Sequence, residues 1–314
     1  MTEKDEVNRV LVADSIGDGG LRTFKEAGLN YVFEPTIERD RLSEIIHDYS
    51  ALIIRGRTKV TRELITKGHR LKVIGRAGVG LDNIDLEAAA EAKITVLNTP
   101  EAPTRSVSEL VFGLLLALAR GICNGDRSIK SKQWNKNNSM GMELFAKKLG
   151  VVGFGRIGHR VAELGKAFGM SVLCYDIVPV DPAVISKLNV RVVDLHTLVR
   201  ESDIITLHTP LTSETTRFFD KNLLDKMKSG AFLINASRGG IIDEEALYTA
   251  LASGHLGGAA LDVFGEEPTN NYKLTSLPNV VCTPHIGSQT RETQDASGIE
   301  IARKTIDVLG SKKL

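Results

Sequence analysis

Three side chains able to move a proton or hold an anion stand just after short apolar runs: Arg238 in Asn235-Ala-Ser-Arg-Gly-Gly240, Glu267 in Asp262-Val-Phe-Gly-Glu-Glu-Pro268, and His285 in Thr283-Pro-His-Ile-Gly287. If those runs are parallel strands, their carboxyl ends face one ligand crevice and the three groups converge there. Histidine exchanges a proton near neutrality, and a neighbouring carboxylate orients its ring and stabilises the imidazolium. On residue type alone, Glu266 serves that purpose as well as Glu267. Arginine supplies a permanently charged fork that polarises a carbonyl and grips an adjacent carboxylate bidentately. These are the protein's tasks when a hydride is exchanged between a 2-hydroxy acid and its 2-keto partner.

A hydride needs a carrier, and the centre of the chain offers a place for one. Gly153-Phe-Gly-Arg-Ile-Gly158 lies between an apolar run, Lys148 to Gly153, and a helical pattern in which Val161, Leu164 and Phe168 share a face. Glycines in this spacing allow a tight turn, close approach of backbone to a pyrophosphate and close helix packing, while the N-terminus of the following helix faces the phosphate charge. The next apolar run, Ser171 to Asp176, ends in a carboxylate eighteen residues after the last glycine. Asp176 there accepts from a ribose hydroxyl pair and repels a 2'-phosphate, so the cofactor read from the residues is NAD rather than NADP.

The elements that must position these groups alternate. Strand patterns occur at Arg9 to Ala13, Ala51 to Arg55, Lys72 to Gly75 and Ile94 to Asn98. After the glycine motif they resume at Val190 to Val193, Asp203 to His208, Ala231 to Asn235, Gly258 to Asp262 and Val280 to Thr283, with helical patterns between. This rhythm predicts an α/β protein with doubly wound parallel sheets. The central domain closes near residue 283, and the remaining segment is too short for a core of its own. It is therefore expected to return to the N-terminal hundred residues, giving a discontinuous substrate domain, 1–100 plus 284–314, into which a dinucleotide-binding domain, 101–283, is inserted. Asn98 to Pro103 and Pro284-His285 are the expected hinges.

Between them, Ser106 to Ile122 reads as an unusually apolar helix, and Cys123 to Ala146 as a polar arm with the only tryptophan, Trp134. A buried core helix followed by a surface loop is one reading; the other, that a helix apolar on most sides and outside either sheet needs a partner, leads to the expectation that Ser106 to Ala146 joins two copies in a homodimer.

The chain has 314 residues, enough for two cores, with 42% hydrophobic and 25% charged residues and a net charge of +1. That balance gives no electrostatic footprint for nucleic acid or an anionic membrane. The longest apolar run, Leu110 to Ala119, is too short to cross a bilayer. Cys123, Cys174 and Cys282 are odd in number, far apart and in apolar contexts, which argues against a disulfide framework or a metal cluster and for a reduced, cytoplasmic setting. A polar, acid-containing N-terminus matches neither a secretory signal nor a transit peptide.

The ordered set of motifs resembles the D-isomer-specific 2-hydroxyacid dehydrogenase family over essentially the whole chain. The matching stretches are Val73-Ile-Gly-Arg-Ala-Gly-Val-Gly-Leu-Asp-Asn83, Leu149 to Gly158, His208-Thr-Pro-Leu211, Asn235 to Gly240, Ala260-Leu-Asp-Val-Phe264 with Glu267-Pro268, and Thr283-Pro-His285. The resemblance implies a Rossmann NAD-binding domain inserted into a flavodoxin-like substrate domain. It implies that Arg238 binds substrate, that His285 is the acid/base, and that Glu267, rather than Glu266, pairs with it.

Cofactor contacts implied in the same way are Gly153, Gly155, Arg156, Ile157, Gly158, Asp176, His208, Thr209, Pro210, Ala236, Ser237 and Asp262, the last near the nicotinamide amide. Substrate carboxylate is implied to meet backbone N–H groups in Arg76-Ala77-Gly78-Val79-Gly80, a glycine-rich segment suited to anions. Arg55, Arg76 and Lys136 of a neighbouring subunit match basic positions that serve a substrate phosphate. The implied reaction is oxidation of D-3-phosphoglycerate to 3-phosphohydroxypyruvate, the entry step to serine synthesis. Glyoxylate/hydroxypyruvate or D-lactate reduction is the alternative within the class, and an NAD-sensing, corepressor-like interaction protein the alternative outside it. Because the chain stops after the returning helix, feedback through a serine-binding extension is not expected.

Overall fold

The structure, a computed structural model, describes residues 8–136 and 140–310. The chain divides into two units, Met1–Pro103 with Ser288–Leu314, and Thr104–Gly287.

The first unit is built on five parallel strands: β1 (Arg9–Val12), β2 (Asn30–Phe33), β3 (Ala51–Ile54), β4 (Val73–Arg76) and β5 (Thr95–Asn98). They lie in the order β2-β1-β3-β4-β5, the flavodoxin-like arrangement. Central β3 is apolar and buried throughout, as a strand covered on both faces must be. Strand β2 is absent from the sequence reading, for a physical reason: it is an edge strand whose four residues are all exposed or half-buried, so it lacks the apolar run that marks its neighbours.

The helix Arg291–Leu309 belongs to this unit. Its Ile301, Ala302 and Ile306 join Val10, Val12, Phe24, Ile53 and Val73 in one core. Burial of each large aliphatic side chain contributes about 1.5–3 kcal/mol, so the helix is integral to the unit. Asp295 accepts the Gly19 N–H at 2.7 Å, and Lys304 Nζ donates to the carbonyl of Asn98 at 2.9 Å.

The second unit has seven parallel strands: β6 (Lys148–Val152), β7 (Ser171–Tyr175), β8 (Arg191–Val192), β9 (Ile204–Leu207), β10 (Phe232–Asn235), β11 (Gly258–Leu261) and β12 (Val280–Cys282). Their order, β12-β11-β10-β9-β6-β7-β8, reverses direction between β6 and β9, the kind of switch point at which open α/β sheets bind ligands. The turn 284–287 stays with this unit because the Asp262 carboxylate holds it, as described below.

The helix Thr104–Ala119 corrects one expectation. It does not stand outside the sheet: its Val111 and Leu115 pack with Leu149, Val151, Ile204, Ile234 and Ala260 in the core of the second unit. An apolar helix reads the same in sequence whether its partner is its own sheet or another chain. The arm after it is not all loop, since Ile122–Lys130 forms a helix with no buried residue. Large apolar side chains are exposed there instead, with Trp134 at 81% and Met140 at 95%. Residues 137–139 of the expected interface lie outside the described residues. Cys174 is buried and Cys123 and Cys282 are exposed, although desolvation still pushes the Cys282 thiol up to about 11. Among the described residues, no single helix is long and apolar enough to cross a membrane, and no cluster of three or more His, Cys, Asp or Glu is placed to hold a metal ion.

Candidate active site

Neighbouring strands β10, β11 and β12 end in three turns that carry Arg238, Glu267 and His285. The turns that carry Arg238 and His285 are each tied down by a buried polar group, Asn235 and Asp262. Asn235, wholly buried at the end of β10, donates from Nδ2 to the Arg238 carbonyl at 2.9 Å. Its Oδ1 accepts from the Ser237 N–H at 3.0 Å and the Ser237 hydroxyl at 2.8 Å. Gly239, next in the chain, lies against the following turn so closely that a Cβ would stand 1.9 Å from the Phe264 carbonyl carbon. The turns bearing Arg238 and Glu267 are therefore in direct backbone contact.

Glu267 is held at both oxygens. Oε1 accepts the Phe264 N–H at 3.1 Å, and Oε2 accepts from His285 Nδ1 at 2.7 Å. Burial raises the Glu267 pKa, but the hydrogen bonds from His285 and Phe264 and the positive charges of His285 and Arg238 reverse this, leaving it below the ordinary 4.5. The carboxylate thus stays ionised at neutral pH. Because an ionised carboxylate only accepts, His285 carries its proton on Nδ1 and leaves Nε2 for exchange with a ligand. Glu266 points to a different task, accepting from Asn270 Nδ2 at 2.9 Å.

His285 has a backbone φ of +52°, in the left-handed region. A non-glycine residue held there costs on the order of 1–3 kcal/mol and persists only where its surroundings impose it. Asp262, 1% exposed, supplies much of that restraint. Its Oδ1 accepts from the Thr283 hydroxyl at 2.6 Å and the Ile286 N–H at 2.8 Å, and its Oδ2 accepts from the Gly287 N–H at 2.9 Å. The Asp262 carbonyl accepts the His285 N–H at 2.8 Å. Asp262, which the resemblance places near the nicotinamide amide, has a carboxylate that binds three donors in the histidine turn.

The glycine motif opens the helix Arg156–Ala167 after β6, at the switch point. Each glycine has its own reason. Gly153 has φ +87° and its Cβ would lie 2.6 Å from the His208 carbonyl oxygen; a Cβ at Gly158 would lie 2.3 Å from the Gly153 carbonyl oxygen. A Cβ at Gly155 would meet nothing within 4 Å, so only a ligand would use the space that this glycine keeps clear. No side chain caps the helix at Gly155, and the positive end of its dipole suits an anion.

Beside this turn, Thr209 Oγ1 and His208 Nδ1 are buried with no hydrogen-bond partner. Burial pushes the His208 pKa down to about 3, so its ring is neutral, with Nε2 against the Thr206 hydroxyl at 2.9 Å. Orphaned buried polar atoms call for an explanation, and a bound dinucleotide supplies one. Asp176 stands just past the end of β7, where its oxygens accept the Phe154 N–H at 2.5 Å and the Val178 N–H at 2.9 Å. Arg156 and Pro210 are exposed, Ile157 and Ser237 half-buried and Ala236 buried. The donor set and the cleared space fit NAD.

In the first unit, Ile54 and Arg76 pair at the carboxyl ends of β3 and β4, which puts Arg55 and Arg76 on adjacent strand ends. Arg55 Nη2 donates to the Ser288 carbonyl and hydroxyl at 3.1 and 3.3 Å, and Nη1 to Gln289 Oε1 at 3.4 Å. Burial lowers its pKa, and the Asp14 charge partly offsets this. The Arg76 guanidinium lies over Gly78, whose φ is +147°: a Cβ there would fall 1.5 Å from Arg76 Nη1. Ala77 is buried, while Val79 is exposed and its carbonyl accepts from Asn98 Nδ2 at 2.7 Å. Lys136 belongs to the second unit and is exposed.

Asn235 and Thr283 went unassigned in the sequence reading. A polar residue at the end of an apolar strand was the available signal for Asn235; nothing in the sequence marked Thr283 as a partner of Asp262.

Residues 112–287 match the model of the D-isomer specific 2-hydroxyacid dehydrogenase NAD binding domain. The chain is similar to the D-3-phosphoglycerate dehydrogenase of Methanocaldococcus jannaschii, 44% identical over 303 residues that make up 96% of this chain and 57% of that protein. It is also similar to the hydroxypyruvate reductase of Thermotoga maritima, 48% identical over 277 residues, 87% of this chain and 89% of that protein. Among solved structures, the TT0316 protein of Thermus thermophilus superposes with a TM-score of 0.88 at 36% identity, over 97% of this chain and 98% of that one. The chain thus spans little more than half the length of the phosphoglycerate dehydrogenase and nearly all of the reductase. On these similarities the chain belongs to the D-isomer-specific 2-hydroxyacid dehydrogenase family and carries its NAD-binding domain.

Proposed function

We propose that the protein oxidises D-3-phosphoglycerate to 3-phosphohydroxypyruvate, at the entry to serine synthesis, with NAD as hydride acceptor. The observation that carries this reading is the contact of His285 Nδ1 with Glu267 Oε2 at 2.7 Å, next to the Arg238 turn, in a unit that matches an NAD-binding domain. NAD, when bound, supplies the acceptor for the substrate's hydride. Gly153, Gly155 and Gly158 with the helix they open hold its pyrophosphate, Asp176 its ribose, and His208, Thr209, Ala236 and Ser237 line the same side of the sheet. His285 takes the hydroxyl proton at Nε2, and Glu267 stabilises the imidazolium that forms. Arg238 grips the substrate and polarises the oxygen at C2 as the carbonyl develops.

Two arginines on adjacent strand ends, Arg55 and Arg76, support a phosphorylated substrate, with Lys136 of a second copy as a third cation. The similarity to a hydroxypyruvate reductase over most of that protein's length favours a second reading, reduction of an unphosphorylated 2-keto acid. A panel of phosphoglycerate, glycerate, hydroxypyruvate, glyoxylate and lactate with NAD(H) and NADP(H) separates the two. Arg55→Ala with Arg76→Ala is expected to lower kcat/KM for phosphoglycerate by at least about 100-fold, from two charge-assisted contacts, and for glycerate far less. Equal losses on both would favour the second reading. Pairing of two copies through the exposed residues of segment 106–146 and a cytoplasmic setting belong to the same proposal.

A further inference from the structure

We propose that Asp262 is a positioning residue of the reaction, one that acts through His285 by fixing the turn from which that histidine projects. The inference rests on the reading of His285 as the acid/base and deepens it. His285 sits at φ +52°, a left-handed conformation uncommon among residues with a Cβ, histidine adopting it more readily than most. Most of the hydrogen bonds that hold the turn run to one residue, with a longer bond from the His285 N–H to the Thr283 carbonyl at 3.1 Å inside the turn itself. The Asp262 carbonyl binds the His285 N–H, and the two carboxylate oxygens bind the Thr283 hydroxyl and the Ile286 and Gly287 N–H groups on either side.

With three donors on a carboxylate that has room for about four, Asp262 is an anchor already engaged before any ligand arrives. At 1% exposure the bonds are shielded from water, and hydrogen bonds to a buried charge are the strong kind. The turn also fits the anchor closely: a Cβ at Gly287 would lie 3.2 Å from Asp262 Oδ2.

What the anchor fixes is the direction of His285 Nε2. Nδ1 is bound to Glu267, whose other oxygen is bound to the Phe264 N–H, two residues after Asp262. The strand end at 262–264 therefore holds the imidazole from both sides: from below through the turn, and from the front through Glu267. Loss of either restraint lets Nε2 swing away from the proton it must take.

The substitution Asp262→Asn keeps the shape and removes the anchor. In one orientation the new amide group opposes the Gly287 N–H, and in the other the Ile286 N–H, so either way one buried donor faces another donor. The expected result is a fall in kcat of about 10- to 100-fold, the scale of a small misplacement of a catalytic group, while NADH affinity measured by fluorescence titration changes by less than about threefold. Thr283→Val, which removes a single donor, should lower kcat in the same direction by less, and the double variant should be no slower than Asp262→Asn alone, because both act through one turn.

A loss of NADH affinity that matches or exceeds the loss in kcat would overturn the proposal in favour of a direct cofactor contact. So would additive effects of the two substitutions, or an unchanged kcat per folded active site with only the melting temperature lowered. His285→Gln distinguishes this failure from failure of the underlying reading: full activity in that variant removes His285 from the chemistry, whereas an inactive His285→Gln beside a fully active Asp262→Asn sinks the positioning role alone.

Discussion

Glu267 shows how much one side chain's surroundings decide. Its carboxyl is pulled below the usual value although burial alone would raise it, because His285 and the Phe264 N–H both donate to it. A group whose folded pKa lies below its unfolded one releases its proton earlier in the folded state. Its contribution to stability is therefore full above the unfolded value, near 4.5, and is lost as pH falls through the lowered folded value. Wild type should accordingly be more stable than Glu267→Gln at pH 7, by no more than about 1 kcal/mol since the pair is part-exposed, and the difference should shrink steadily below about pH 4.5. Urea titrations of both proteins across that range check it; a gap that widened in acid would reverse the assigned direction. Arg238, Glu267 and His285 stood out in the sequence because each is a chemically capable residue in the turn that follows a strand. The choice of Glu267 over Glu266 came from the resemblance alone, and the geometry supplies a reason: one faces His285, the other Asn270.

Elements matter here through the places where backbones touch. The glycine motif was readable because a phosphate turn tolerates no Cβ at set positions, and Gly153, Gly155 and Gly158 meet three different demands. Gly239 meets a fourth that sequence could not show, since its neighbour, Phe264, is 25 residues away on another turn. Gly239→Ala is expected to lower unfolding free energy by about 1–3 kcal/mol, as overpacking does, and to reduce turnover by prising the Arg238 turn from the Glu267 turn. Equilibrium urea unfolding and kcat measured together test this, and a variant with both values intact would mean that the contact is easily relieved. Strand β2 escaped sequence reading because an edge strand half in water carries no apolar signature. The partner of the helix Thr104–Ala119 escaped because hydrophobicity says that a surface will be covered, not by what.

At the scale of the whole molecule, the parallel order of both sheets follows from the strand-helix alternation, and the return of Arg291–Leu309 to the first unit follows from a segment too short to fold alone. The proposed pairing of two copies draws on exposed apolar surface. Within segment 106–146 the exposed large apolar side chains are Ile122, Ile129, Trp134, Met140 and Phe145, after the helix first suspected. Sedimentation equilibrium should give twice the chain mass of 34.1 kDa for the wild type and the single mass for Trp134→Glu with Met140→Glu; a monomeric wild type would refute pairing through this face.

The most direct test of the central claim, that His285 moves the proton of an NAD-linked oxidation, is a paired measurement on His285→Ala: NADH formation from D-3-phosphoglycerate and related 2-hydroxy acids, and NADH affinity. The predicted result is turnover lower by at least about 100-fold with affinity within about threefold of wild type. Undiminished turnover, or turnover and affinity lost in equal measure, would contradict the account.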